Sequence, residues 1–277
     1  MPNKNIGLLG CGTIGTQLAL AIESGNIANA SLAGLFDIVN SNAKSLKSKL
    51  NSNTELYLDF DALINSSANI IIEAASQQAV RDFGKPIIEA NKDIMIMSVG
   101  ALADTTFLAE LLDLPAVTNG HSRIYVPTGA IAGIDAIRSV RNLLDSLTLT
   151  TTKSPKALAG APFLEKSRVN LDTVTKITAI YEGSAAEAVK LFPANVNVAA
   201  VLSLAGIGAD KTKVRIVVDP QATTNQHEIT ATGSFGDIKI TVNNVTTPGN
   251  PKTSFLAILS AIECLRSICD DSIRIGS

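Results

Sequence analysis

Asn5-Ile6-Gly7-Leu8-Leu9-Gly10-Cys11-Gly12-Thr13-Ile14-Gly15 is the stretch that decides the fold of this 277-residue chain. Asn5–Leu9 reads as an apolar strand, and a glycine-spaced turn follows it at once. Leu18, Ala21 and Ile22 then fall on one face of a helix, and a second strand, Leu32–Phe36, ends in Asp37. Each part suits a dinucleotide. Gly10 makes the tight turn, Gly12 lets backbone approach a pyrophosphate, and Gly15 lets the helix pack closely on the strand. Thr13 and Ile14 begin that helix, whose unpaired N–H groups and dipole favour phosphate charge. Asp37 stands where a carboxylate accepts the hydroxyls of an adenosine ribose, and it would repel a 2′-phosphate. The expectation is an NAD site in an N-terminal Rossmann domain.

Composition narrows the remaining classes. Hydrophobic residues are 46% and charged residues 17%, so a well-filled core is expected. A net charge of −2 gives no electrostatic reason to expect nucleic acid or an anionic membrane as partner. No apolar run reaches the roughly 18 residues of a membrane span. The N-terminal segment lacks a basic stretch followed by an apolar one, so a cytoplasmic location is expected. Cys11, Cys264 and Cys269 have no chelating spacing, and His121 and His227 are the only histidines, so no metal site is expected.

The first 120 residues alternate strands and helices. Asn69–Ala75 and Asp93–Ser98 read as buried parallel strands, residues 77–91 and 104–113 as helices, and Ala116–Thr118 as a short strand. Ligands of open parallel sheets lie beyond the carboxyl ends of the strands. Ala75 and Ser76, and Ser98, Val99 and Gly100, are therefore expected along the cofactor. After residue 120 the pattern changes. Pro127–Ala130 reads as the start of a helix, strands are expected at 146–152, 173–181, 213–219, 227–233 and 237–243, and Ser184 with Glu187 forms a capping box. The expected organisation is α/β: a Rossmann domain at 1–120 and an α+β substrate and dimerisation domain at 121–251. A C-terminal helix at 252–277 is expected to pack back on the first domain.

A nicotinamide enzyme must handle protons beside the hydride, and histidine suits that task near neutral pH. His227, in Asn225-Gln226-His227-Glu228-Ile229, is the expected catalytic residue. No cysteine is placed for thioester chemistry, so direct hydride transfer from an alcohol or amine carbon is expected. Asn195 reads as a helix cap, while Asn197 is freer to face the cofactor. Lys252, Thr253 and Ser254 combine a cation, two hydroxyls and a helix start, and with His121 and Ser122 they are the expected carboxylate contacts.

These segments together resemble the L-aspartate dehydrogenases nearly end to end. The resemblance runs through Gly10–Gly15, Glu73–Ser76, Ser98–Leu102, Pro127–Asp135, Phe192–Ala199, Asn225–Ile229 and Asn250–Ser254. It implies oxidative deamination of L-aspartate with NAD or NADP, giving iminosuccinate and then oxaloacetate plus ammonia. Iminosuccinate can feed NAD biosynthesis through quinolinate synthesis. By position, the resemblance carries the active-site histidine to His227 and cofactor contacts to Ala130 and Asn197. It also implies a homodimer. Thr128 departs from the serine more frequent there but keeps the hydroxyl. Two rivals stand beside this reading: a homoserine-type dehydrogenase, separable by a substrate panel, and a non-catalytic NAD sensor, separable by stabilisation without turnover.

Overall fold

The computed structural model describes residues 3–167, 169–193, 197–247, 250–270 and 272. Two compact units divide them. The first runs to Ala101, takes in Thr106–Pro127 and regains the chain from Ile258. The second holds Leu102–Thr105 and Thr128–Ala257.

In the first unit the elements run β1 (Lys4–Leu9), α1 (Thr13–Glu23), β2 (Ala30–Phe36), α2 (Asn40–Lys47), β3 (Glu55–Leu56) and α3 (Phe60–Ile64). They continue with β4 (Ile70–Glu73), α4 (Gln77–Glu89), β5 (Asp93–Ile96), α5 (Thr105–Leu112), α6 (Pro115–Thr118) and β6 (Ile124–Tyr125). The strands are parallel in the order β3-β2-β1-β4-β5-β6. Ile70, Ile71 and Ile72 are fully buried, as are Ile94, Met95 and Ile96. Such unbroken apolar runs belong to strands covered on both faces. The strand order reverses between β1 and β4, and their carboxyl ends, Leu9 and Glu73, are register partners at that reversal. Ligands of this architecture bind there.

The second unit contains α7 (Ile134–Val140), β7 (Leu144–Lys153), α8 (Pro155–Leu158), α9 (Pro162–Lys166), β8 (Thr178–Ser184), α10 (Ala185–Leu191) and α11 (Asn197–Ala205). After these come β9 (Lys213–Val218), β10 (Asn225–Gly233), β11 (Gly236–Asn244), β12 (Thr246–Thr247) and β13 (Asn250–Ser254). Its main sheet has the order β11-β10-β7-β9-β8, mostly antiparallel. Alternation sorts the faces: Leu147, Leu149, Thr151 and Lys153 of β7 are buried, while Thr148, Thr150 and Thr152 are half-buried. Helix α11 covers the buried face, since a Cβ on Gly206 at its end would overlap Leu147. Helix α12 (Phe255–Cys269) puts Ala261, Leu265 and Cys269 into the core of the first unit, and Arg266 Nε donates to the Asn26 carbonyl at 2.9 Å.

The structure corrects several sequence expectations. Residues 116–118 are helical, because Pro115 occupies the first helical position with its φ already set. Pro127–Ala130 does not open a helix: Gly129 and Gly133 have φ of 70° and 71°, and α7 starts only at Ile134. The strand expected from 173 begins at Thr178. Residues 250–254 form β13 against β12, so the last helix starts at Phe255 and not at 252. The changeover expected after residue 120 falls at Pro127–Thr128. The Ser184–Glu187 capping box is present with both of its hydrogen bonds.

Candidate functional site

Backbone makes the site of the first unit. Gly10 has φ of 100°, and a Cβ there would come within 2.7 Å of the Ala74 carbonyl and 2.8 Å of the Ala75 methyl. A Cβ on Gly15 would overlap the Gly10 carbonyl oxygen, so the first turn of α1, with Thr13 and Ile14, closes directly on the loop. Gly12 is the opposite case, exposed and with nothing within 4 Å of a built Cβ. The turn is thus closed behind and open in front, the shape that admits a pyrophosphate against bare N–H groups. Asp37 is 8% exposed. Its Oδ2 accepts from the Cys11 N–H and its Oδ1 from the Val39 N–H, both at 2.8 Å. These residues fit a dinucleotide with an unphosphorylated ribose.

Beside the turn, the ends of β4 and β5 are held by a residue the sequence reading quoted but gave no role, Glu73. Its carboxylate is fully buried. It accepts from the Ala75 N–H at 2.8 Å, the Ser98 N–H at 2.9 Å and the Ser98 hydroxyl at 2.8 Å. Burial raises its pKa above the ordinary carboxyl value, against the lowering effect of those bonds. Ala75 and Ser76 are exposed, with Ser76 capping α4, whereas Val99 and Gly100 are buried in a 3₁₀ turn. An acid ending a run of three isoleucines was the available signal.

In the second unit His227 stands third in β10 and is 2% exposed, inside a strand and not on a turn. Its Nδ1 lies 3.0 Å from the Thr151 hydroxyl across the β7–β10 ladder. Burial, followed by the positive charge of Lys153, pulls the imidazole down to about 3. Burial also brings the Lys153 ammonium down to about 8. Asn225, on the same face, donates through Nδ2 to the Ser254 hydroxyl at 3.4 Å. Asn244, its partner on β11, donates to the Ala130 carbonyl at 2.9 Å. A Cβ on Gly129 would touch Val198, which brings the Thr128–Ile131 turn against the start of α11, where Asn197 is half-buried. His227, Ala130, Ser254 and Asn197 therefore gather at one end of one sheet. Thr253 is half-buried on β13. The Lys252 side chain and all of Asn195 lie outside the described residues.

His121 and Ser122 belong to the first unit. They precede β6, which runs parallel to β5, and so lie at the amino edge of the first sheet, opposite the glycine turn. His121 is exposed beside Lys4, Lys92 and Asp93, and the buried Ser122 hydroxyl donates to the Ile88 carbonyl at 3.2 Å. Their place at this edge does not support the expected carboxylate contact. Burial drives the thiols of Cys11 and Cys264 up to about 12, so neither supplies a thiolate near neutrality. Among the described residues no group of three or more His, Cys, Asp or Glu is arranged to hold a metal, and no helix is long and apolar enough to cross a membrane.

Comparison with known proteins places this geometry. Residues 135–268 match the C-terminal domain of aspartate dehydrogenase, and residues 10–127 match the NAD-binding domain of homoserine dehydrogenase. The L-aspartate dehydrogenase of Nitrosopumilus maritimus is 49% identical, covering 99% of this chain and 100% of that protein. That of Methanosarcina barkeri is 45% identical over 98% and 99%. The crystal structure of aspartate dehydrogenase from Thermotoga maritima superposes with a TM-score of 0.75 at 25% identity, over 99% of this chain and 100% of that one. GenD2 from gentamicin A biosynthesis, in complex with NAD, shares the fold at a TM-score of 0.58 and 10% identity, over 100% and 89%.

Proposed function

This chain belongs to the L-aspartate dehydrogenase family, and we propose that it converts L-aspartate and NAD to iminosuccinate and NADH, water then giving oxaloacetate and ammonia. The observation that carries the reading is His227, a buried neutral imidazole beside a buried cation, in a chain whose glycine turn suits NAD. Bound nicotinamide supplies the hydride acceptor.

The chain supplies position and proton handling. Gly10, Gly12, Thr13, Ile14 and Gly15 hold the pyrophosphate, Asp37 the ribose, and Ala75, Ser76, Ser98, Val99, Gly100, Ala130 and Asn197 the nicotinamide half. Thr253 and Ser254, with Lys252, contact substrate carboxylate. His227 has Nδ1 committed to Thr151, which leaves Nε2 for the substrate. Without substrate its proton affinity is low. A dicarboxylate brings negative charge beside the ring and favours the imidazolium, so His227 becomes a base when aspartate is present to need one. It then takes a proton from the substrate ammonium or from the attacking water.

The second unit carries the substrate contacts and the subunit interface of a cytoplasmic homodimer, and the released iminosuccinate feeds pyridine nucleotide biosynthesis. The decisive assay is NADH formation from aspartate, homoserine and malate, with His227→Ala and His227→Asn variants. Aspartate is expected to be the preferred substrate, and each variant to lose about 10²- to 10⁴-fold in turnover while NAD still stabilises the protein. Unchanged turnover would remove the catalytic assignment, and preference for homoserine would remove the substrate.

A further inference from the structure

Glu73 closes β4 where the strand order reverses, the register partner of Leu9 on one side and of Ile96 on the other. Three isoleucines precede it, and its own side chain is fully buried. Burying a carboxylate there is costly, and the groups it meets are donors: the Ala75 and Ser98 N–H groups and the Ser98 hydroxyl. A backbone N–H only donates, so these bonds favour the ionised form. They bring no formal charge. Among the described residues, burial and hydrogen bonds act on this carboxyl, and no cation does. The anion is therefore held in place without being neutralised.

The groups that hold it are open to ligand. Ala75 is exposed and Ser98 half-buried, so the charge lies one hydrogen bond beneath the surface. The glycine turn adjoins the same place, since a Cβ on Gly10 would come within 2.8 Å of the Ala75 methyl. In this architecture a dinucleotide crosses the reversal with its pyrophosphate at the turn, and its second nucleotide lies over the half of the sheet that begins with β4. That nucleotide carries the charge that separates the two forms of the cofactor, because the oxidised nicotinamide ring is cationic and the reduced ring is neutral. Helices α1 and α4 both begin at this edge, α4 capped by Ser76, and the positive ends of their dipoles favour phosphate but disfavour a cationic ring. A buried anion under the ends of β4 and β5 offsets that bias. Asp37, the other buried acid of the first unit among the described residues, follows β2 on the far side of β1, at the adenosine end.

We infer that Glu73 selects the oxidised nucleotide, its buried charge attracting the cationic nicotinamide ring and offering the neutral, reduced ring no such attraction. The inference rests on the placing of the nicotinamide half along Ala75, Ser76 and Ser98, and it deepens that reading. Glu73 then does more than clamp two strand ends: it favours the entry of NAD and the departure of NADH.

The test is the pair of Kd values for NAD and NADH, titrated without substrate on the wild type and on Glu73→Gln, Glu73→Asp and Ser98→Ala. Glu73→Gln keeps the length and removes the charge, Glu73→Asp keeps the charge, and Ser98→Ala takes one bond from the clamp. In Glu73→Gln the Kd for NAD is expected to rise about tenfold relative to that for NADH. In Glu73→Asp and Ser98→Ala the ratio is expected to stay within about twofold of wild type, whatever the Tm does. If Glu73→Gln does not fold, Glu73→Ala, which leaves room for water at the donors, carries the same expectation. Equal weakening of both nucleotides by Glu73→Gln, with a lower Tm, would make Glu73 a structural clamp and overturn the inference, while the placing of the nicotinamide stands. A ratio moved as far by Glu73→Asp or Ser98→Ala would make geometry the selector and overturn it equally. Unchanged binding of both nucleotides in the folded charge-removing variant would overturn the inference and the placing together.

Discussion

The two units assemble their ligand-facing groups in opposite ways. In the first, Gly10–Gly15 do the work through backbone, and the one side chain they need, Asp37, is tied back to the same loop through Cys11. In the second, the groups come from a turn at Ala130, from Thr151, from Asn225 and His227, from Asn244 and from Ser254, brought together by strand register. A backbone site is fixed by local sterics and fails when one Cβ is added. A register site is fixed by alternation across strands and fails when a charge is altered.

The steric half of that contrast gives the largest expected effect. Gly15→Ala drives a methyl into the Gly10 carbonyl, which is backbone and has no flexible end to yield. Denaturant unfolding should show a loss of about 3 kcal/mol, the upper range for overpacking, together with loss of NAD-dependent stabilisation. Gly12→Ala meets nothing within 4 Å. Its stability should stay within about 0.5 kcal/mol of wild type while NAD binding weakens. Equal destabilisation by the two variants would break the description of the turn as closed behind and open in front.

The charged half is read by pH. His227 has a folded value of about 3 against an ordinary 6.5. As pH falls below 6.5 the unfolded chain takes the proton first, so stability is lost through that window until about pH 3. The slope approaches about 1.4 kcal/mol per pH unit, or roughly 2 to 3 kcal/mol between pH 6 and 4. His227→Asn should flatten that part of a stability-against-pH curve. Glu73 in the first unit has the opposite sense. Its folded value is raised, so its contribution is intact below the ordinary 4.5 and is lost as pH rises from there. Glu73→Gln should therefore steepen the acid limb where His227→Asn flattens it. Parallel curves for the two variants would erase the distinction.

How much of this could be read in advance follows from the same contrast. Gly10–Gly15 and Asp37 are legible because conformation and spacing act locally. His227 is legible as a residue type in a polar segment, but its burial is not, since that depends on Thr151 lying 76 residues away along the chain. The burial of Lys153 is equally illegible, since only the strand's full extent reveals that position 153 continues the inward set Leu147, Leu149, Thr151. The place of His121 and Ser122 in the first unit turns on one element. A strand at 116–118 would have them follow its carboxyl end. With Pro115–Thr118 helical and the strand at Ile124–Tyr125 they precede it, at the other edge.

The smallest expected effect tests whether Asp37 belongs wholly to the local kind of site. Both of its oxygens already accept backbone N–H groups, from Cys11 and Val39, so the carboxylate holds the turn before any ribose arrives. Oδ2 also accepts from the Asn42 amide at 3.4 Å, so the open lone pair is on Oδ1, where a ribose hydroxyl adds without displacing the backbone bonds. Asp37→Ser keeps a short polar side chain but removes the charge and one acceptor. The Kd for NAD should rise about tenfold, roughly 1.4 kcal/mol, while the Kd for NADP falls because its 2′-phosphate no longer meets an anion. Titration of both nucleotides against the variant measures the ratio. If both weaken together, Asp37 is a clamp on Cys11 and Val39 alone, and the choice of NAD over NADP must come from side chains elsewhere, as the second unit assembles its own site.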